Sequence, residues 1–196
     1  MTISMKNAKR DDIPILINIL TPPFSTNLSV NRCVKQDDKR LQRIKNQIRY
    51  ISKISIRNNL AFVNTTKTGV MLCNLSNGRK ANILDDLYFI FKVSGLKLGL
   101  QLLKREKLLK QLHPKTNYCH LWFIGVKNEA QGNGIGTKMI SYLKQKCQEK
   151  SLPIYLETSN QDNLKFYEKN GFKLYKTIKL PMDNFDLYFY SWLPQN

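Results

Sequence analysis

A run of glycine and amide residues, Gln131-Gly132-Asn133-Gly134-Ile135-Gly136, has the composition of an anion-binding turn. It lies between the apolar residues 120–126 and a helical pattern over residues 137–150, so we predict a strand, a turn and a helix in that order. Glycine permits positive φ and the close approach of a ligand. The first N–H groups of the helix would be unpaired and would lie at the positive end of its dipole. The turn therefore suits a phosphate or pyrophosphate.

Two common phosphate-binding motifs do not fit this spacing. A P-loop counted from Gly132 would need a second glycine at Thr137 and a hydroxyl residue at Met139. The dinucleotide fingerprint G-x-G-x-x-G fits Gly132 and Gly134, but it also fails at Thr137. Both nucleotide-binding interpretations are thus excluded.

The turn matches another pattern, Gln/Arg-x-x-Gly-x-Gly/Ala, with Gln131, Gly134 and Gly136 in register after a strand that ends at Val126. This pattern resembles the signature of the GNAT superfamily, the acyl-CoA-dependent N-acyltransferases. A six-residue glycine motif also occurs in turns that only join a strand to a helix. A second block of sequence is needed to distinguish the two.

That second block follows at residues 154–172. Residues 154–158 have the pattern of a short strand, Asn160 can cap a helix that Gly171 ends, and Leu164 with Tyr167 gives helical spacing. The order of strand, Asn-containing turn, short helix and Gly-Phe is similar to the second block of the same superfamily. The resemblance covers roughly residues 118–175 and is weak before them.

The resemblance implies a fold and an activity. The fold would be α/β, with a central mixed, mostly antiparallel sheet of about six to seven strands and helices on both faces, and residues 1–196 would form one such domain. The activity would be direct transfer of an acetyl group from acetyl-CoA to a primary amine, held by a small molecule or a peptide. The alternative is a basic nucleic-acid-binding, polyanion-binding or regulatory module that keeps the fold without turnover. The acceptor and the choice between monomer and homodimer stay open.

The resemblance also implies cofactor-binding residues. In this superfamily the fourth and fifth strands splay apart, and the pantetheine arm pairs with exposed backbone like an added strand. Here that backbone would belong to Ile124, Gly125 and Val126. The pyrophosphate would meet the turn and the helix start, at Gln131, Gly132, Asn133, Gly134, Ile135, Gly136 and Thr137. Asn160 and Asn163 occupy positions that contact the cofactor in relatives, although Asn160 could equally serve only as a helix cap.

The resemblance implies one catalytic residue, and the sequence offers candidates for a second. Tyr167 matches a tyrosine that protonates the departing thiolate in many relatives, and its other interpretation is a core aromatic beside Phe166 and Phe172. The general base has three candidates, of which Glu157 on the fifth strand ranks first. The others are His120, which has the better unperturbed pKa for this task, and Glu129, which we expect in solvent. No metal is required.

Composition limits the class of protein. The chain has 32 Lys and Arg residues against 14 Asp and Glu residues, a net charge of +18, which suggests a polyanion partner because phosphate contacts dominate nucleic-acid binding. The cations run along the entire chain, so we favour a dispersed solvated surface and do not favour a nucleic-acid partner. The same positive field would attract an anionic cofactor. Four scattered cysteines without a Cys-x-x-Cys pair and without a signal sequence indicate a cytoplasmic protein with no structural zinc site.

The remaining elements must position these residues. We predict a strand at residues 3–6, a helix from Asp11-Asp12 to Leu20 that Thr21-Pro22-Pro23 stops, and a helix from Asp37 or Asp38 with apolar residues at helical spacing. Further strands are predicted at residues 60–64, 70–75, 173–180 and 187–192, the first two as a hairpin. Residues 82–112 are predicted as two helical pieces broken near Ser94-Gly95, mostly packed on the sheet and partly lining the acceptor pocket. The longest apolar stretch, residues 87–91, is too short to span a bilayer.

Overall fold

The computed structural model describes residues 4–78 and 81–195, and these residues form one seven-stranded sheet. The strands are β1 (Met5–Asn7), β2 (Ala61–Asn64), β3 (Gly69–Leu75), β4 (Cys119–Val126), β5 (Ile154–Thr158), β6 (Lys173–Ile178) and β7 (Leu187–Trp192). Their order in the sheet is β1-β2-β3-β4-β5-β7-β6. All neighbouring strands are antiparallel except β4 and β5, which are parallel. The predicted mixed, mostly antiparallel sheet is confirmed.

Helices cover both faces of this sheet. They are α1 (Ile13–Ser25), α2 (Leu28–Cys33), α3 (Arg40–Arg57), α4 (Ile83–Phe89), α5 (Leu96–Leu112), α6 (Ile135–Gln148) and α7 (Leu164–Lys169), and a π-helical turn, Ile90–Ser94, follows α4. Because side chains alternate along a strand, each face has its own core. Ala61 and Val63 of β2 pack with α1 and α3, whereas Phe62 packs with α6 and α7. A third cluster joins α5 to β7.

The longest departure from the prediction is in α1, which does not stop at Thr21 but continues through Pro22 and Pro23 to Ser25. Proline lacks the N–H that a helix interior uses. Packing compensates for this, since Phe24 meets Phe123 of β4 edge-on with ring centroids 4.2 Å apart. The hydroxyl of Thr21 also donates to the carbonyl of Ile17 over 2.6 Å. Tertiary contacts therefore keep the chain helical where its local sequence favours an end.

Most other elements lie close to their predicted bounds. The β2–β3 hairpin, β5 and β7 are confirmed, and Gly95, with φ +72°, separates the π-helical turn from α5 as predicted. The helix after the glycine turn begins at Ile135, two residues before the prediction, and the predicted strand at residues 173–180 ends at Ile178. Ile3 of the predicted first strand lies outside the described residues. None of the helices described is both long and apolar enough to cross a membrane.

Candidate active site

A gap between β4 and β5 dominates the centre of the sheet. The two strands pair only at their first residues, Cys119 with Ile154 and His120 with Tyr155. Beyond these pairs, the edge of β4 from Trp122 to Val126 has no β5 partner, although β3 still pairs with its other edge. This is the splayed arrangement that the resemblance implies, and it leaves backbone groups available to an extended ligand.

A bulge in β4 lies at the start of the gap. Leu72 of β3 is opposite Phe123, and Cys73 is opposite Leu121, so that Trp122 is an extra residue in β4. Bulges re-aim side chains, and here Leu121 packs on the α6 side of the sheet, whereas Phe123 packs on the α1 side. The bulge therefore changes which side chains line each face where the strands separate.

The glycine turn lies between the end of β4 and the start of α6. Gly132 and Gly134 have φ of +79° and +70°, a conformation that favours glycine, and a Cβ at either would meet no atom within 4 Å. No described residue accepts a hydrogen bond from the main-chain N–H groups of residues 132–137. The side-chain amide of Gln131 donates to the carbonyl of Val126 over 3.2 Å and ties the turn to the strand end. The turn is thus open, fixed and rich in unpaired donors.

Other residues of the predicted phosphate site have packing roles. A Cβ at Gly136 would lie 3.2 Å from the ring of Phe166, so its small size permits the contact between α6 and α7. Ile135 is buried, and its side chain lies close to Gly69. Asn133 donates its amide to carbonyls within the turn. The exposed Thr137 accepts a bond from Ser141 at its carbonyl. These residues can offer a ligand their backbone rather than their side chains.

Along the gap, the residues of β4 differ in their burial and in their contacts. Gly125 is buried beneath α1, where an added Cβ would lie 2.8 Å from the side chain of Leu20. Ile124 is half-buried against the core on the α6 side. The Val126 carbonyl accepts the Gln131 amide. The strand end that would hold the cofactor arm is therefore rigid, with α1 on one face and the turn at its tip.

Tyr167 lies on the α6 side, in a cluster of rings. Its ring centroid is 5.4 Å from that of Phe166, 5.9 Å from that of Phe172 and 5.8 Å from that of Tyr190. Burial raises the pKa of Tyr167, so the phenol keeps its proton at neutral pH. No described residue hydrogen-bonds to its hydroxyl. The residue can thus serve as core and still present a protonated hydroxyl to a ligand.

The two predicted asparagines differ in their bonding. Asn160 accepts a bond from the N–H of Asp162 over 3.0 Å, as a helix cap does. The side chain of Asn163 has no hydrogen-bond partner among the residues described. Asn163 therefore has the freer amide for a cofactor, while Asn160 already has a structural role.

Glu157 lies on the opposite face of the sheet, where it meets both histidines of the chain. His120 Nε2 is 2.6 Å from Glu157 Oε2, and His113 Nε2 hydrogen-bonds to Glu157 Oε1. The indole N–H of Trp122 donates to His120 Nδ1 over 2.8 Å. Because an indole nitrogen can only donate, His120 Nδ1 must accept, and its proton lies on Nε2 facing the carboxylate. We call these three side chains, His113, His120 and Glu157, the His-Glu-His cluster.

The cluster changes what Glu157 can do. Burial acts to raise the pKa of Glu157, but attraction to His120 and the hydrogen bonds from both imidazoles outweigh it and hold the pKa well below the usual range of a glutamate. A carboxylate with a low pKa and two engaged oxygens accepts a proton poorly. This arrangement suits a residue that orients its imidazoles better than one that acts as a base itself. Glu129, the third candidate, is exposed near Lys127.

His113 was not among the predicted site residues. It lies 44 positions from Glu157, at the end of α5 and before Pro114, so no local spacing connects the two. Its Nδ1 has one polar neighbour among the described residues, the hydroxyl of Tyr175 at 3.4 Å. The only signal for it in the sequence was compositional, since the chain has just two histidines.

The cluster also has the residue types of a metal site. Its ligand atoms lie within 4.8 Å of one another. A cation on His120 Nε2 would require a proton on Nδ1, where the Trp122 N–H already donates. The side chains therefore fit a hydrogen-bonded network better than a metal centre.

Comparison with known proteins supports the resemblance. Residues 98–172 match the model of the Acetyltransferase (GNAT) family. An uncharacterised N-acetyltransferase of Schizosaccharomyces pombe is 33% identical over 119 residues, which are 53% of this chain and 48% of that protein. The chain thus spans about half the length of this relative.

Solved structures show the same fold. One is the structure of histone acetyltransferase HPA2 and related acetyltransferase from Corynebacterium glutamicum. It superposes with a TM-score of 0.70 at 16% sequence identity, and the alignment covers 100% of this chain and 98% of the other chain. Another is Naa50 of Arabidopsis thaliana in complex with the bisubstrate analogue CoA-Ac-MVNAL, with a TM-score of 0.53, 17% identity and coverage of 97% and 98%. The predicted resemblance and fold class are confirmed.

Proposed function

We propose that the protein transfers an acetyl group from acetyl-CoA to a primary amine. The proposal rests on the match of residues 98–172 to the GNAT family and on the GNAT fold of the chain. Acetyl transfer is the activity of the family. The amine acceptor and the residues that act on it belong to this proposal.

The observation that carries the proposal is the open glycine turn at the end of the β4–β5 gap. A pyrophosphate would accept hydrogen bonds from the unpaired N–H groups of residues 132–137 at the positive end of α6. The cofactor arm would run along residues 124–126. Asn163 offers a free amide at the start of α7. The fit requires no cationic side chain, and residues 131–137 contain none.

Positioning would account for much of the rate. Bound acetyl-CoA supplies a reactive thioester, and a bound amine held in attack geometry avoids the entropic cost of an encounter. A main-chain N–H near Val126 would stabilise the charge that develops on the thioester oxygen. Tyr167 would protonate the departing thiolate, a role that its protonated and unpaired hydroxyl supports.

The amine must also lose a proton, and we propose that the His-Glu-His cluster receives it. His113 Nδ1 is the ring nitrogen with the weakest existing contact, and Tyr175, which is 39% exposed, links it toward the surface. A proton arriving on this imidazole would be stabilised by the adjacent Glu157 carboxylate. Glu157 would then act through His113 as a positioning residue, and not as the base first predicted.

Calorimetry with acetyl-CoA and CoA tests the proposal first. We expect binding of both, without added metal, in a one-to-one ratio. Thiol release would then be followed with a panel of arylalkylamines, polyamines, amino acids and peptides with free N-termini or lysines. The peptides of the panel reflect the Naa50 complex with a bisubstrate analogue that contains a peptide. A folded protein that binds neither acetyl-CoA nor CoA would overturn the proposal.

We also propose a cytoplasmic location. The four cysteines are free, and Cys73, Cys119 and Cys147 are buried. Reduced, buried thiols are typical of a reducing compartment. Fluorescence microscopy of the tagged full-length protein is the direct check.

A further inference from the structure

Helix α3 carries a concentration of positive charge that the acetyl-transfer site does not use. It has six cations and no acidic residue, namely Arg40, Arg43, Lys45, Arg49, Lys53 and Arg57. An 18-residue helix is roughly 27 Å long. It packs on the face of the sheet opposite α6, away from the glycine turn. The sequence suggested that the positive charge is dispersed over the surface. The structure shows that part of this charge is concentrated on α3.

A groove of about 460 Å³ runs between α3 and the π-helical turn that follows α4. This volume is within the range of roughly 300–1,000 Å³ typical of ligand sites. One wall comes from α3 and its preceding residue, the other from α4 and the π-helical turn; the lining residues are Lys39, Gln42, Arg43, Asn46, Tyr88, Phe91 and Lys92. The amide of Asn46 donates to the carbonyl of Lys92 over 3.0 Å and holds the two walls together.

The cations of the groove are of two kinds. Arg43 is fixed by Asp37, which accepts its guanidinium hydrogen bonds at 2.8 and 2.7 Å. Neither Lys39 nor Lys92 forms an ion pair with any described residue. The groove therefore has one held guanidinium and two ammonium groups available to an anion.

The two aromatic residues of the groove differ in exposure, since Phe91 lies in solvent and Tyr88 is half-buried. Phe91 is 73% exposed, and Tyr88 is stacked beneath Lys53, whose ammonium lies 5.1 Å from the ring centroid. Several apolar side chains of α4, the π-helical turn and α5 are exposed, and Phe91 is the aromatic one among those described. Cations that follow a phosphate backbone, together with rings that stack on bases, are typical of sites for single-stranded nucleic acids.

We propose that this groove binds single-stranded nucleic acid, with phosphates on Lys39 and Lys92 and a base stacked on Phe91. Gln42 donates its amide to Asn46 over 3.2 Å, which leaves the side-chain oxygen of Gln42 to pair with a base edge. A duplex keeps its bases stacked internally and cannot use the ring. A bilayer is flat and does not enter a concave groove. A single strand fits both the shape and the chemistry.

Fluorescence anisotropy with labelled polyuridine and polyadenine oligoribonucleotides tests the proposal at several salt concentrations. Phe91→Ala should weaken binding by about five- to 150-fold, the usual effect of removing one stacking ring. Its control is Leu174→Ala, since Leu174 is an exposed apolar residue on β6 at the far edge of the sheet. The double change Lys39→Glu and Lys92→Glu should reduce the salt slope by about 0.7 for each phosphate that is no longer neutralised. The matched charge change at Lys173 and Lys176 on β6 should have a smaller effect.

Four results would overturn the proposal. The first is equal binding by the Phe91→Ala and Leu174→Ala variants, and the second is a duplex that binds as tightly as the single strand. The third is displacement of the oligonucleotide by CoA. The fourth is Phe91-dependent binding to anionic vesicles without binding to the oligonucleotide. Thermal melts of each variant exclude unfolding as the cause. The assay measures binding without turnover, so its outcome is independent of the proposed acetyl transfer.

Discussion

Tyr167 and Glu157 lie on opposite faces of the sheet and differ in their contacts. Leu156 packs into the same core as Tyr167, and Glu157, the next residue in β5, points to the other face. The Tyr167 hydroxyl is free of partners among the described residues, whereas both carboxylate oxygens of Glu157 are engaged. A single-atom change should therefore affect chemistry at Tyr167 and structure at Glu157.

Tyr167→Phe should slow acetyl transfer by about 10²- to 10⁴-fold, the typical cost of losing a general acid. Cofactor affinity and thermal stability should change little, because the ring keeps its contacts. The matched control is Tyr190→Phe, which removes a hydroxyl that donates to Glu168 over 3.0 Å. That change should cost about 0.5–1.5 kcal/mol of stability and leave turnover intact. Equal turnover in wild type and Tyr167→Phe would remove the residue from the mechanism.

Glu157→Gln should make stability less dependent on acid pH. The pKa of Glu157 is lowered in the folded protein, so its ionised form stabilises the fold at pH values above the pKa of an unfolded glutamate, about 4.3. This stabilisation is lost as the pH falls from that value through the folded pKa. Denaturant unfolding of both proteins across this pH window should show a difference that shrinks with acid. A difference that stays constant with pH would mean that the carboxylate charge is not involved.

At the scale of elements, the glycine turn serves two purposes. Gly132 and Gly134 have positive φ and open surroundings, whereas Gly136 makes room for Phe166. The three glycines of this motif are thus required for two different physical reasons. Substitutions at Gly134 therefore test ligand binding, and substitutions at Gly136 test the packing of α6 on α7.

Gly134→Asp should weaken acetyl-CoA binding by at least about tenfold, because a carboxylate at the start of α6 would compete with the pyrophosphate for the free N–H groups. The left-handed φ of +70° at Gly134 strains any side chain, although Asp and Asn tolerate this conformation better than most residues do. Gly134→Asn is the neutral control of the same shape and should bind more tightly than the Asp variant. Calorimetry, with a melt for each variant, measures both effects. Full affinity in a folded Gly134→Asp variant would argue against the phosphate site.

At the scale of the whole molecule, Asp183 joins elements that are distant in sequence. Its buried carboxylate accepts hydrogen bonds from Arg105 of α5 at 2.9 and 3.2 Å, and Arg32 of α2 lies 3.5 Å away. Arg105 also reaches the hydroxyl of Ser29 over 3.1 Å. Because Asp183 lies between β6 and β7, this network fixes the helices over the face that holds the His-Glu-His cluster.

Asp183→Asn should lower the free energy of unfolding by about 3–5 kcal/mol, since it leaves Arg105 buried without its counter-charge. Adding Arg105→Leu should recover part of this stability, because replacing both members of a buried pair is often nearly neutral. Denaturant titration of wild type, both single variants and the double variant gives the coupling energy. Strictly additive effects would mean that the pair makes no cooperative contribution.

The sequence by itself determined the elements whose signals are local. Periodicity located the β2–β3 hairpin, β5 and β7, and the glycine turn was recognisable because positive φ and open backbone restrict the residue type at Gly132 and Gly134. The resemblance carried by Gln131, Gly134 and the block around Tyr167 extended this to the fold class. In each case the determining residues are neighbours along the chain.

Only the tertiary structure decided what depends on distant contacts. Packing of Phe24 on Phe123 keeps α1 helical through its prolines. Pairing between strands sets the bulge at Trp122 and the gap beside β5. The approach of His113 to Glu157, 44 positions away, and the contact of His120 with the same carboxylate depend on the fold. Local patterns contain no record of which buried groups will meet, because burial and pairing energies arise only when the separated segments come together.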